Sequence, residues 1–385
     1  MIRLNKLIRS PLLRTQIYHN INKPSSCLFF SSSNNYGKNI NNIINKQHAK
    51  LTTSTVIQTP FNGRNAFNNM NKYNNMQIMH QSTNASGTIQ HKNEQLKKLD
   101  SDFLYHLGFS SSQDLEEIFG DVKFFCCGGA ASRMEIFANQ VADELSEEFD
   151  EYKKPYGFKP TIIGDDKRYA IFKVGPVLIS SHGMGMPSMS ILLHEVTKML
   201  HYAKATDVTY FRLGSSGGIG VEPGTVVLTT QGLNGLMEPH YSLPILGKMV
   251  HRPASIDETL VNNIKAAAEK RLPNLTVTPG KTMAADCFYE GQGRLDGAIC
   301  DYEEKDKMEF VNKLNDIGVR NIEMEAVMFA AFTNHLDIKA AVACVTLLNR
   351  LEGDQVLTPL EDLHAFDEYP GHVVLAYIKE ELAKM

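Results

Sequence analysis

The first 93 residues of this 385-residue chain contain no aspartate and no glutamate. With 43 acids in the whole chain, an even spread would place about ten in a segment of that length, so the absence marks a segment of different character. The same segment carries 11 Lys+Arg. That leaves 28 Lys+Arg against 43 Asp+Glu in residues 94–385, a formal charge of −15 hidden beneath an overall −4. Such an acidic body excludes a nucleic-acid backbone as its main partner, because phosphate contacts need a basic field. No run of 18 or more apolar residues occurs, which excludes a membrane-spanning helix. None of the six cysteines (Cys27, Cys126, Cys127, Cys287, Cys300, Cys344) forms a Cys-x-x-Cys pair. Cys126 and Cys127 would point to opposite faces of a strand and could not ligate one metal in the usual way. They read as small buried hydrophobes in a reducing compartment. A P-loop and a Gly-x-Ser-x-Gly elbow are also missing. His194-Glu195-Val-Thr-Lys198 has Lys where a zinc His-Glu-x-x-His requires its second histidine, so no metal is expected.

The acid-free segment begins Met1-Ile-Arg-Leu-Asn-Lys-Leu-Ile-Arg9 and continues with Leu12, Leu13, Arg14, Ile17 and Tyr18. On a helix these give an apolar face flanked by basic side chains, the composition of a mitochondrial transit peptide. The remainder is Asn-rich, with 18 Asn in residues 1–93 and too few clustered apolar residues for a core, and it reads as disordered. An Asn-rich tract that lacks acids by accident is the competing reading. The localisation expected is mitochondrial if the leader acts and cytoplasmic otherwise.

Residues 94–385 have globular composition, enough length for one substantial core, no internal repeat and no Pro/Ser/Gly-rich linker, so one domain is expected. Val122–Cys127, Ala170–Val174, Val177–Ser181, Val208–Leu213, Val226–Thr229 and Ala340–Thr346 read as strands ending in Gly or small polar residues. Helical periods fill Met134–Phe149, Pro187–His201, Ile256–Lys270, Tyr302–Asp316, Met324–His335 and Tyr369–Lys384. The alternation predicts a single-domain, three-layer α/β sandwich around a mixed central sheet. Polar, glycine-rich stretches gather at the C-terminal ends of the strands, at 128–133, 182–188, 213–218 and 347–350. In open α/β sheets ligands bind at that rim, so one site built from four loops is expected.

Gly183-Met-Gly185-Met-Pro-Ser188 imitates a dinucleotide fingerprint, but its third glycine is Ser188 and its strand is not the first of the domain. A tight turn is the better reading. More telling are Arg133 after Gly128-Gly129, Arg168, and Arg212 just before Gly214-Ser215-Ser216-Gly217. Arg212 ends an apolar strand, where an unpaired guanidinium would be costly to bury, so it requires an anionic partner. Three guanidiniums with glycine amides and the Ser215 and Ser216 hydroxyls would make a cage for a dianion such as phosphate. Phe288-Tyr-Glu-Gly-Gln292-Gly-Arg294 offers a ring for stacking, an amide with a donor and an acceptor, and a guanidinium for a carbonyl oxygen. That set fits a planar amide-bearing base such as uracil. Glu323 and Glu325 flank Met324 and could take sugar hydroxyls or serve as charges at a helix start. His106 and His182 are candidate ligands or satisfied structural histidines, and the sequence favours the second reading.

Taken together, Cys127-Gly-Gly-Ala-Ala-Ser-Arg133, Ser181-His-Gly-Met-Gly-Met-Pro-Ser188, Arg212-Leu-Gly-Ser-Ser-Gly-Gly-Ile219, Phe288–Arg294, Asn321–Glu325 and Val345–Gln355 resemble uridine phosphorylases of the eukaryotic type, in the nucleoside phosphorylase class. The resemblance runs from about Leu99 to the C-terminus. It implies a phosphate site of Gly129, Arg133, Arg168, Arg212 and Ser215. It implies a uracil site of Phe288, Gln292 and Arg294 with Ser216 and Gly217, and a ribose site of Met324, Glu325 and Ser215. His106 would complete the neighbouring subunit's site in a homodimer. Arg212, Gln292 and Arg294 would carry catalysis, with inorganic phosphate as co-substrate and no cofactor. Three departures bear on substrate range: Ser215 where relatives commonly carry Thr, Asp286-Cys287 before Phe288, and the Glu238–Tyr241 region. A purine-specific relative would need an acid near Thr346–Arg350, where this chain has Asn349 and Arg350. A hydrolytic nucleosidase is disfavoured by the three arginines, and a non-catalytic nucleoside-binding protein by the full set of matched positions.

Overall fold

The computed structural model describes residues 87–149, 161–162 and 168–385, all within one compact unit. The targeting and disorder expected for the leader fall on residues 1–86, outside the described residues. Residues 87–93 of the acid-free stretch belong to the folded body: Thr88 bridges to Thr206, and Ile89 is buried with its N–H donated to the Ala205 carbonyl.

In chain order the strands are β1 (Phe103–Leu104), β2 (Phe109–Ser110), β3 (Phe124–Gly128), β4 (Thr161–Ile162), β5 (Ile171–Val174), β6 (Val177–Ser181) and β7 (Thr209–Gly218). There follow β8 (Val226–Leu233), β9 (His240–Ile245), β10 (Lys248–Pro253), β11 (Val277–Ala284), β12 (Val319–Glu323) and β13 (Ala340–Asn349). The α-helices are α1 (Leu115–Phe119), α2 (Ala131–Glu148), α3 (Met186–Tyr202), α4 (Glu258–Arg271), α5 (Glu304–Asp316), α6 (Ala326–His335) and α7 (Leu360–Leu382). Local chemistry fixes their starts. Pro187 sits in the first turn of α3, Asp257 caps α4 by accepting from the Thr259 and Leu260 amides, and Glu303 with Asp306 forms a capping box on α5.

Nine strands form one mixed sheet in the order β12-β11-β8-β13-β7-β3-β6-β5-β4. The expected mixed α/β architecture is present, with α1, α3 and α6 packed on one face and α2, α4 and α7 on the other. Cys126 and Cys127 do lie on opposite faces. Beyond the expected sandwich, one half of the sheet closes on itself, because β12 pairs back onto the end of β7 through Asn321↔Gly218 and Ile322↔Gly217. Five strands thus make a ring, β7-β13-β8-β11-β12. Glycine permits the closure: a Cβ on Gly218 would stand 2.9 Å from the Leu348 carbonyl oxygen.

Several elements depart from the sequence reading. Gly214–Gly218, expected as a loop, continues β7, since β13 and β12 supply its ladder partners. β11 and β12 are additional strands, the first disguised by Pro279 and Gly280 and the second by its polar Arg320 and Asn321. α7 begins at Leu360 rather than near Tyr369 and runs through Pro370.

Candidate functional site

The C-terminal ends of β3, β6, β7, β12 and β13 converge on a cavity of about 420 Å³. Gly129, Arg133, Arg212, Ser215, Ser216, Gly217, Phe288, Gln292, Arg294, Met324 and Glu325 all line it. Two expected residues stand elsewhere. Arg168 is exposed and is not part of this wall. His106 is held outside it by α3, with Nδ1 2.6 Å from Glu195 Oε1 while the His106 and Leu107 amides donate to Glu195 Oε2. Glu195, from the zinc-like stretch, is therefore the anchor of His106. Within one chain the cavity has only part of the site implied by the resemblance.

At one end of the cavity lies Arg212, 3 % exposed. Period-two alternation along β7 turns it to the same face as Tyr210, beside Cys344 of the adjacent strand. The anionic partner it requires is supplied by the chain itself: Nη2 stands 2.7 Å from Glu323 Oε2 and also bonds Glu325 Oε2, while Nη1 donates to Cys344 Sγ at 2.8 Å. Burial pushes the Cys344 thiol up to about 12, so it stays neutral. Gly214 is needed for this packing, since a Cβ there would lie 2.6 Å from Arg212 Nη1. Arg212 Nε has no hydrogen-bond partner. The second arginine, Arg133 in the first turn of α2, is paired with Asp367 of α7 at 3.1 Å.

The two carboxylates divide the roles that the sequence left open. Glu323 serves the helix start, accepting from the Glu325 and Ala326 amides at 2.9 and 2.8 Å. Glu325 accepts from the Gly185 amide, at the turn that opens α3, and faces Arg212. Burial pushes Glu323 up to about 7. Burial acts on Glu325 in the same sense, but Arg212, His182 and the Gly185 N–H together bring it below the usual carboxylate range.

At the other end, Arg294 donates from Nε and Nη2 to Asp296 and from Nη2 to the Asp354 carbonyl, and its guanidinium lies 4.7 Å from the centroid of the Phe288 ring. Gln292, 4 % exposed, is fixed by Arg350, whose Nη2 donates to the Gln292 main-chain carbonyl at 2.8 Å. Arg350 in turn shares Asp354 with Lys307, both at 2.9 Å. The Ser216 hydroxyl is taken up by the fold: it donates to the Val345 carbonyl and accepts from Asn321 Nδ2. Asn349 ties the rim by accepting from the Gly220 amide and donating to Glu352. Two polar lining residues were given no role in the site by sequence reasoning: His182, and Arg350 as the clamp on Gln292. Only Arg350 carried a signal, a guanidinium directly after a buried strand.

A family model, the phosphorylase superfamily, matches residues 127–378. Mouse uridine phosphorylase 1 is 45 % identical over 297 residues, spanning 77 % of this chain and 94 % of that protein. A protein of Schistosoma mansoni named inactive uridine phosphorylase B is 40 % identical over 294 residues, covering 74 % of this chain and 95 % of its own. A solved structure from work on two uridine phosphorylases of the oomycete Phytophthora capsici superposes with a TM-score of 0.73 at 50 % identity, covering 78 % of this chain and all of that one. By the family match, these identities and the shared fold, the chain belongs to the phosphorylase superfamily and, within it, to the uridine phosphorylases.

Proposed function

We propose that this protein carries out the reversible phosphorolysis of uridine, giving uracil and α-ribose 1-phosphate. The observation that supports it is the gathering of two sets of side chains in one cavity: Arg133 and Arg212 with Glu325, which pairs with Arg212, and Gln292 with Arg294, which lies against Phe288. Phosphate sits at the arginine end below C1′ and Glu325 takes ribose hydroxyls. As the glycosidic bond lengthens to an oxocarbenium-like state, charge builds on the uracil carbonyl oxygens. Gln292, locked by Arg350, and Arg294, locked by Asp296 and Asp354, are preorganised donors for that charge, so they bind the transition state more tightly than the ground state. No covalent nucleophile is needed.

His106 and Arg168 are assigned to the neighbouring subunit's site in a homodimer, which accounts for their lying outside this chain's own cavity. Glu195 presents His106 for that purpose. The leader is assigned to mitochondrial import. A fusion of residues 1–93 to a fluorescent reporter tests that assignment, and a cytosolic signal contradicts it.

A purine substrate is disfavoured because Asn349 and Arg350 are both committed to the scaffold and neither can protonate a purine nitrogen. Comparing uridine, thymidine and inosine as substrates at saturating phosphate tests the base assignment: uridine is turned over in preference to inosine, and the reverse order refutes it. The relative named inactive makes catalytic competence a question for the site rather than for the family. Every matched position of the uracil and phosphate ends is occupied here, which favours activity.

A further inference from the structure

His182 is a buried polar side chain with nothing to bond. It is 1 % exposed, yet neither Nδ1 nor Nε2 has a hydrogen-bond partner; the main chain of His182 and Gly183 lies near the ring without reaching hydrogen-bond geometry. An unsatisfied buried group of this kind is destabilising, and each such group in a native structure calls for a reason. The ring belongs to the wall of the cavity. Its backbone is pinned on both sides, the His182 amide donating to the Gly128 carbonyl at 2.8 Å and its own carbonyl accepting from Ser188 Oγ at 2.6 Å. The ring is thus held rigidly, and it is held within the electrostatic reach of Arg212 and Glu325.

Burial first, and Arg212 second, hold the imidazole down to about 3, so it is neutral at physiological pH. A neutral imidazole has one N–H donor and one acceptor. Arg212 Nε is the other unpartnered buried group on this wall. We propose that His182 is a phosphate-binding residue of this site, donating a ring N–H to a phosphate oxygen beside Arg212 Nε. The proposal rests on the phosphorolysis reading and deepens it. Phosphate near neutral pH keeps unprotonated oxygens that accept hydrogen bonds, and the single N–H of the neutral ring is a donor for one of them. Arg133 and Arg212 already supply the charge, so a neutral group adds directional bonding without a further cation.

The test uses the full chain and the variants His182→Ala and His182→Asn, with phosphate and uridine varied in turn and thermal melting recorded alongside. His182→Ala raises the KM for phosphate about tenfold or more, leaves the KM for uridine within about threefold, and melts with the wild type. His182→Asn, whose amide keeps a donor near Nδ1, recovers much of the phosphate affinity. An unchanged phosphate KM, or a shift confined to uridine, overturns the proposal. Should His182→Ala fail to fold, the ring is followed directly: inorganic phosphate titrated into ¹⁵N-histidine-labelled wild type moves the His182 ring resonances, and immobile resonances overturn it. If the wild type releases no uracil from uridine and phosphate, the phosphorolysis reading fails, and the ¹⁵N titration alone decides the role of His182.

Discussion

Glu323 and Glu325 face one guanidinium, and their environments drive them apart: burial pushes the first up to about 7 while Arg212 helps hold the second down. A carboxyl whose folded pKa lies above its unfolded value favours the folded state below the unfolded pKa, and that contribution is lost as pH rises through the folded one. For Glu323 the window runs from the ordinary 4.5 to about 7. The melting temperature of Glu323→Gln relative to wild type therefore climbs between pH 5 and pH 8, and a difference that stays flat shows the carboxylate to be ionised throughout. Arg294→Ala should lower kcat about a hundredfold, as loss of a preorganised donor does; steady-state rates equal to wild type remove Arg294 from the chemistry. The residues proposed to hold the base were legible in the sequence because Phe288, Gln292 and Arg294 lie within seven positions. His182 was not, since a histidine beside a glycine turn looks the same whether its nitrogens are bonded or bare. Arg212 was half legible: the need for an anionic partner was right, but one carboxylate, Glu323, ends a strand that the pattern hid, and the other, Glu325, is the N-cap residue of the helix that follows it.

At the scale of elements, the site depends on how β7 is allowed to run. Its first half is apolar and was readable by period, whereas its glycine-rich second half looked like a loop and became strand only because β13 and β12 approach it from both sides. That approach leaves room for the guanidinium of Arg212 but none for a methyl group at Gly214. Gly214→Ala should displace Arg212 and raise the KM for phosphate about tenfold, as loss of a charged hydrogen bond does, while far-ultraviolet circular dichroism stays that of wild type. An unaltered phosphate KM would mean that Arg212 is not held where the phosphate binds. On the opposite face, Gly371 lets α7 lie against α2, where an added Cβ would stand 2.7 Å from Phe137 Cδ2. Gly371→Val is expected to cost about 1–3 kcal/mol by overpacking, read as a lower denaturant midpoint with the kinetic constants of the remaining folded enzyme unchanged. The period-breaking Pro370 explains why the sequence suggested a later start for α7.

For the molecule as a whole, the charge split at Glu94 was plain in the sequence, but the folded body starts earlier. Burial of Ile89, with its amide bonded to Ala205 and Thr88 bridged to Thr206, ties this segment to the connection between α3 and β7. A protein beginning at Gly87 should be more stable than one beginning at Glu94 by about 1.5–3 kcal/mol, the worth of one buried aliphatic side chain, and equal melting temperatures would place those residues outside the cooperative unit. The proposed subunit pairing, with His106 completing the neighbouring site, is tested by mixed dimers. His106→Ala and Arg212→Ala subunits, each of low activity alone, regain activity when dissociated and reassembled together, because one site of each heterodimer is then intact; no recovery argues against a shared site. Transfer of ribose from uracil to phosphate is measured most directly as uracil release from uridine with and without inorganic phosphate. Release that requires phosphate and yields ribose 1-phosphate in equal amount is the predicted result. Release undiminished without phosphate would make the protein a hydrolase, and none under either condition would place it with its inactive relative.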